Sequence, residues 1–219
     1  MADVDQAGGS NAQVRRRWRP RAGSHWTETR RQRAASGQNA VVMDTHPLQL
    51  AAHGLLLRAW TSDDLAVMQE LFDDPEIAYR TPLETPFDRA AALRYLHSTE
   101  RARRDNNRIH LAITTDGQQV LGEVLLNRAT GSIGYIVGAA HRGQRLAVRA
   151  LRTMTEFAHT TLSLPRVILE IEPGNRPSIA VARSAGFHPS SSAPETVTDK
   201  GRTYDLLTWE HNLTSTDRG

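Results

Sequence analysis

Apolar positions first recur with a regular period at Leu55, where Leu55-Leu-Leu-Arg-Ala-Trp60 reads as a short buried strand. Thr61 or Ser62 then offers a helix cap, with Asp63 and Asp64 in the first turn, where the helix dipole favours carboxylates. Leu65, Met68, Leu71 and Phe72 follow at helical spacing, and Pro75 predicts the end of that helix. After a Pro-containing loop, Asp88 is placed to cap a second helix that turns Leu93, Tyr95 and Leu96 inward, its far end 100–105 solvated. Residues 108–115 alternate as a strand, Asp116-Gly117 signals a hairpin turn, and 120–127 returns. A turn at Ala129-Thr-Gly131 leads to a third strand, 132–138, completing an antiparallel meander. Ala147, Ala150, Leu151, Met154, Phe157, Ala158 and Leu162 then mark a long amphipathic helix, ended by Pro165. A strand over 166–172, a short helix over 178–184 closed by Gly186, and a last strand over 203–211 complete the pattern. The order βααβββαβαβ predicts an α+β domain on one central, mixed but mostly antiparallel sheet flanked by helices.

The 219 residues suit one domain with a tail. Boundaries are expected at 1–42 (tail), 43–54 (leader), 55–213 (domain) and 214–219 (a disordered C-terminus). Residues 1–40 contain no Leu, Ile, Phe or Tyr, so they bury too little apolar surface to offset the cost of ordering and are expected to be disordered. Eight Arg against three acidic residues give this segment +5, so the remaining chain carries −2 of the total +3. Any nucleic-acid footprint therefore lies in the first 40 residues. Three readings stay open for it: an inert or upstream-start extension preceding Met43, an RNA-binding arm using Trp18 and Trp26 among arginines, or a targeting peptide.

Cysteine is absent, which excludes disulfides, zinc thiolates and a cysteinyl acyl relay. No apolar run approaches the roughly 20 residues needed to span a bilayer. No secretory signal pattern opens the chain, so a soluble cytoplasmic protein without membrane contact is expected, as monomer or homodimer. The nine histidines show no H-E-x-x-H spacing, and no metal is expected; His110 and His141 read as structural or surface groups.

The chemistry points to Gly138-Ala-Ala-His-Arg-Gly-Gln-Arg-Leu-Ala147, between the third meander strand and the long helix. A short loop there leaves the first helical N–H groups unpaired before the positive end of the dipole, which suits a pyrophosphate. It is neither a Walker loop nor a Rossmann fingerprint.

Here the chain resembles the GNAT acetyltransferases. Tyr135-Ile-Val-Gly with Arg142-Gly-Gln-Arg-Leu-Ala147 resembles the acetyl-CoA motif Gln/Arg-x-x-Gly-x-Gly/Ala. Asn175-Arg-Pro-Ser178, continuing to Gly186-Phe187, resembles the family's Asn-x-x-Ser…Gly-Phe helix. Leu57-Arg-Ala-Trp60, Asp63-Asp64 and Asp74-Pro-Glu76 resemble the opening of the RimJ/RimL branch, which acetylates N-termini of ribosomal proteins.

The resemblance implies a GNAT-like fold, acetyl-CoA as co-substrate and a primary amine (protein N-terminus or small molecule) as acceptor. It implies that Ile136 and Val137 run beside the pantetheine arm as their strand splays. The N–H groups of Arg142, Gly143, Gln144, Arg145, Leu146 and Ala147 would hold the pyrophosphate, Asn175 would contact the coenzyme, and Ser178 would lie near the sulfur. The family's loop glycine is Arg145 here, whose side chain either crowds the phosphate or swings outward to add a charged contact. Zero cysteines favour direct transfer in a ternary complex, with the backbone near Val137 as oxyanion donor.

The base is less defined. Many relatives carry Glu just before this Ile-Gly-Tyr, a place taken here by Ser132. Pairing Asn127 with Ser132, Leu125 with Gly134 and Glu123 with Ile136 puts Glu123 on the face of Ser132, where it either acts as base through a water or is an exposed edge carboxylate. Glu195, in a mobile Ser/Pro segment, is a second candidate, and Glu170 with Glu172 read as solvated. A Tyr acid is absent because Ala182 takes that place, leaving Ser178 as the hydroxyl. The stretches 79–87 and 189–200 would line the acceptor side. A coenzyme-binding sensor that has lost catalysis, or an RNA- or ribosome-tethered protein acting through its arm, are the competing functions.

Overall fold

A computed structural model describes residues 48–213, and the readings made for 1–42 and 214–219 lie outside them. The first element already departs from the expected leader. β1 (Gln49–Ala52) and β2 (Leu55–Ala59) form a hairpin, turned by His53 and Gly54 at φ of 52° and 67°. The alternation of β1 is four residues long with nothing larger than Leu50, too short to stand out of the sequence.

α1 (Leu65–Phe72) begins where predicted, after a single 3₁₀ turn in which Asp64 accepts from both the amide and the hydroxyl of Thr61. Burial pushes the Asp64 carboxyl up, but the Arg58 guanidinium and Thr61 outweigh it and hold it below its usual value. Pro75 does not simply stop this helix. Asp74 caps the amides of Glu76 and Ile77, and Pro75 opens α2 (Pro75–Arg80), since its missing N–H costs nothing at a first helical position. α3 (Arg89–Arg104) is capped by Asp88 as expected.

β3 (Arg108–Thr114), β4 (Gly122–Asn127) and β5 (Ile133–Val137) form the meander, giving a five-stranded sheet in chain order. The predicted register holds: Glu123 faces Ile136, Leu125 faces Gly134, and the Asn127 amide bonds the Ser132 carbonyl. α4 (Leu146–Thr160), β6 (Arg166–Ile171) and α5 (Arg176–Ser184) follow. β7 (His188–Pro189), β8 (Glu195–Asp199) and β9 (Arg202–Asn212) end the fold, so the expected mobile Ser/Pro segment contains a strand.

Strand alternation divides the core into two layers. Leu57, Leu111, Ile113, Val124 and Leu126 face Ala150, Leu151, Met154 and Ala158 of α4. On the other face Trp60 and Ala112 pack with Met68, Leu71 and Phe72 of α1, Leu96 of α3 and Phe87 of the loop before α3. Each large side chain sealed this way contributes about 1.5–3 kcal/mol. The fold class is the expected α+β arrangement of antiparallel strands flanked by helices, with one correction. The single sheet is two: β6 pairs with β9, and β5 meets β6 only at a parallel bridge between Ser132 and Ile168.

Candidate active site

Beyond that bridge β5 and β6 part, and alternation decides which backbone groups face the gap. The Ser132 carbonyl and Gly138 amide bond to β4, and with them Gly134 and Ile136 in the same hydrogen-bonded register. The amides and carbonyls of Tyr135 and Val137 therefore point the other way, into the opening. This corrects the reading of Ile136 as a residue whose backbone meets pantetheine: its amide and carbonyl belong to β4.

Gly138 ends the strand, and a 3₁₀ turn over Ala139–His141 leads to α4. Arg142 needs a similar correction: its amide leans on the Ala139 carbonyl at 3.4 Å, and its guanidinium pairs with Glu76 at 2.8 Å and Asp74 at 3.6 Å. Its charge ties the loop to α2 more than it serves the loop's mouth. From Gly143 to Val148, in contrast, no backbone N–H meets an acceptor within the described residues; Arg149 is the first amide of α4 bonded, to the Arg145 carbonyl. No side chain caps the helix. Six bared amides at a dipole's positive end can take an anion of several oxygens.

Two residues make this loop possible by turning left-handed: Gly143 at φ 82° and Arg145 at φ 57°. Arg145 adopts the conformation that a glycine adopts without cost, and its side chain is exposed. Leu146 is buried beneath the turn, while Gln144 is exposed and Ala147 half-buried.

On α5, the Asn175 side chain caps the Ser178 amide at 3.2 Å, so its carboxamide oxygen is engaged within the helix. Ser178 is half-buried, and its side chain hydrogen-bonds with the Tyr135 phenol. The Tyr135 phenol, raised above its ordinary pKa by burial, donates to the Ser178 carbonyl at 3.4 Å, joining β5 to the first turn of α5 across the opening. Ala182 is fully buried.

The carboxylates change most from their sequence reading. Glu123 is no exposed edge group: it is completely buried, with Oε1 accepting from Trp60 Nε1 at 2.8 Å and Oε2 from the Tyr95 hydroxyl at 2.7 Å. His110 Nδ1 lies 3.3 Å from Oε1. β4 is an interior strand, and α3 covers this face, which a local pattern could not reveal. Burial, then the adjoining Glu123 charge and hydrogen bond, raise the Tyr95 phenol well above its usual pKa, so it remains a donor. Glu195 is exposed at the start of β8, opposite Leu206.

Glu170 and Glu172 are not simply solvated. Glu172 pairs with Arg80 at 3.1 Å and Arg202 at 3.0 Å. Glu170 Oε2 accepts the Ser132 hydroxyl at 2.8 Å, across the point where the sheets part. Sequence reasoning passed over this contact because it joins residues 38 apart on different strands. Its one local signal was the polar Ser132 opening an otherwise apolar strand.

The two stretches expected on the acceptor side do meet. Lys200 donates to the carbonyls of Ala78 and Thr81, and Arg202 to that of Tyr79, whose ring lies 3.5 Å below the Arg202 guanidinium. α2 is thereby fastened to the β8–β9 turn at one end and to the α4 loop at the other.

Residues 54–188 match the acetyltransferase (GNAT) domain model. The chain belongs to the GNAT acetyltransferases. This GNAT protein is an acyltransferase of the acetyl-CoA-dependent N-acetyltransferase family. It is 26% identical over 160 residues, 69% of this chain and 89% of the other, to the uncharacterized N-acetyltransferase p20 of Bacillus licheniformis. Its fold is that of a putative ribosomal-protein-serine acetyltransferase from Vibrio cholerae, at TM-score 0.66 and 20% identity, covering 76% of this chain and 98% of that one. It is equally that of the spermidine N-acetyltransferase of Vibrio cholerae solved with CoA and spermine, at TM-score 0.61 and 20% identity, covering 74% and 96%. The bared amides and the parted strands of this GNAT domain fit acetyl-CoA as co-substrate: one end offers donors to phosphates, the other unpaired strand edges to an amide-containing arm. Among the described residues, no group of His, Cys, Asp and Glu is arranged to hold a metal ion, and no helix is long and apolar enough to cross a membrane.

Proposed function

We propose that this GNAT protein transfers acetyl directly from acetyl-CoA to a primary amine, on a protein N-terminus or a small molecule, in the cytoplasm. The observation that carries the reading is the run of free amides from Gly143 to Val148 opening onto the gap beside Val137. Bound acetyl-CoA supplies a thioester carbonyl, and every other part of the chemistry falls to the chain. Gly143, Gln144, Arg145, Leu146 and Ala147 hold the diphosphate by their N–H groups, as a helix N-terminus holds any anion. Val137, with its N–H turned into the gap, polarises the carbonyl oxygen, and a fixed backbone dipole does so without reorganising. Ser178, half-buried on the first turn of α5, delivers the proton needed at sulfur. Asn175 keeps the first turn of α5 in place for it. Glu123 acts from below by fixing Trp60, Tyr95 and His110 against the sheet.

Both acceptor classes remain within this reading, because the proteins of the same fold named above include a ribosomal-protein-serine acetyltransferase and a spermidine N-acetyltransferase. Titration calorimetry with acetyl-CoA, followed by thiol release against N-terminal peptides and against spermidine, tests it. Saturable coenzyme binding and amine-dependent thiol release are expected; no binding heat and no thermal shift would remove the proposal.

A further inference from the structure

We infer that Glu170, held by Ser132, is the group that takes the proton from the attacking amine. This rests on the direct-transfer reading above. The acceptor must be a carboxylate with a spare lone pair, within reach of the gap and unmatched by a cation.

The described carboxylates near the gap sort cleanly on those terms. Glu123 is fully buried with both oxygens occupied by Trp60, His110 and Tyr95, so an ammonium cannot reach it without dismantling the layer under α3. Glu172 is matched by two guanidinium groups, and Glu76 by that of Arg142. Glu170 makes one contact, the Ser132 hydroxyl on Oε2, and no Arg, Lys or His pairs with it among the described residues. It is half-buried, neither sealed nor lost to bulk water.

Its place in the sheet is the second argument. Ser132 bridges Ile168 in parallel, so two residues further on Glu170 stands level with Gly134, where the strands separate. Gly134 has no side chain to cover it. A Cβ there would sit 3.3 Å from Leu125, already packed on the same face. Strand alternation puts Glu170 on the face away from α4, together with Ser132 and Gly134, and the amides of Tyr135 and Val137 open beside it. One neutral donor orients the carboxylate without matching its charge, which leaves Oε1 free to receive a proton.

The step balances as follows. The ammonium gives one proton to Glu170, which passes it to water. The freed nitrogen forms the C–N bond as the C–S bond breaks, and the second nitrogen proton is matched by the one gained at sulfur. No oxidant or further reactant enters.

The experiment uses the full chain with acetyl-CoA, spermidine or peptides beginning with Ser or Ala, thiol release as readout and calorimetry for coenzyme binding. Glu170→Gln is expected to lower kcat by about 10²–10³ with coenzyme affinity kept. The deficit should narrow as pH rises towards the amine's own pKa near 10, where free amine needs no acceptor. Ser132→Ala should displace the pH profile, and Ser132→Thr should restore it, which a merely structural serine would not do. Where amines give no acceleration, slow hydrolysis of acetyl-CoA is compared in the same variants, water being the nucleophile.

A wild-type rate and pH profile in Glu170→Gln would overturn the inference while leaving the acetyltransferase reading intact. So would transfer of the whole effect to Glu123→Gln at unchanged melting temperature. A wild type that binds coenzyme yet releases no thiol, or that binds none, would overturn both.

Discussion

Gly138 lies directly against Leu71: a Cβ at position 138 would fall 2.2 Å from Leu71 Cδ2. Leu71 is buried in the aromatic layer of α1 and α3, so the turn that starts the loop before α4 and the packing of α1 share one contact. Gly138→Ala forces one of them to move. It should cost about 1–3 kcal/mol, as overpacking does, and weaken acetyl-CoA binding. Melting temperature and calorimetry read the two effects. Adding Leu71→Ala should return coenzyme affinity while stability stays low, because the cavity replaces the clash. Unchanged affinity in the single variant would refute the coupling.

Arg145 carries a left-handed backbone and an exposed side chain. Coenzyme affinity should therefore survive Arg145→Gly. Arg145→Val should cost about 1–2 kcal/mol and weaken coenzyme binding, since a β-branched residue resists that conformation. Calorimetry on the two variants distinguishes backbone from side-chain recognition. A large loss of affinity in Arg145→Gly would make the guanidinium itself the phosphate ligand.

Arg58 grips Asp64 through two nitrogens, at 2.7 and 2.8 Å, with both side chains mostly buried. The folded-state pKa of Asp64 is lowered from 3.8. Its stabilisation is thus complete above the unfolded value and disappears as pH falls through the folded one. Asp64→Asn should cost about 3 kcal/mol near pH 7, where a buried guanidinium loses its partner. The gap between wild type and variant should shrink below pH 4. Urea unfolding across pH 2–7 measures it; a gap independent of pH would exclude the linkage.

Trp60→Phe removes a donor from the buried Glu123 carboxylate while keeping most of the ring packing against Phe72. The expected cost is about 1.5–3 kcal/mol, the range for hydrogen bonds to a charged group. The slope of the denaturation curve should not change. A neutral outcome would mean that another donor closes on Glu123.

The loop from Gly138 to Ala147 was legible in the sequence because its signals are local: a short connection, a strong amphipathic helix behind it and few residues that could cap its amides. The same holds for the cap at Asp88, and for the register of β4 on β5, which the short connection between Asn127 and Ser132 dictates. β1 and β8 were not legible, since each gains its order by pairing with a neighbour and not from its own composition. α1 ends before Pro75 as read, but the helix that Pro75 opens was not legible for a related reason. A proline ends one helix and starts the next with equal ease, and only Asp74 turning its side chain onto Glu76 and Ile77 tells which.

The fates of Glu123 and Glu170 mark the boundary between the two kinds of information. The order of elements, the open start of α4 and the absence of cysteine follow from residue identity and short-range spacing, so the chain alone determined them. Which carboxylate is sealed and which stays open depends on α3 lying over β4 and on β6 leaving β5 after one bridge. Both are contacts between segments distant in sequence. Burial and hydrogen bonding act through space, so only the folded chain could decide that Glu123 is locked beneath Tyr95 while Glu170 waits beside the gap.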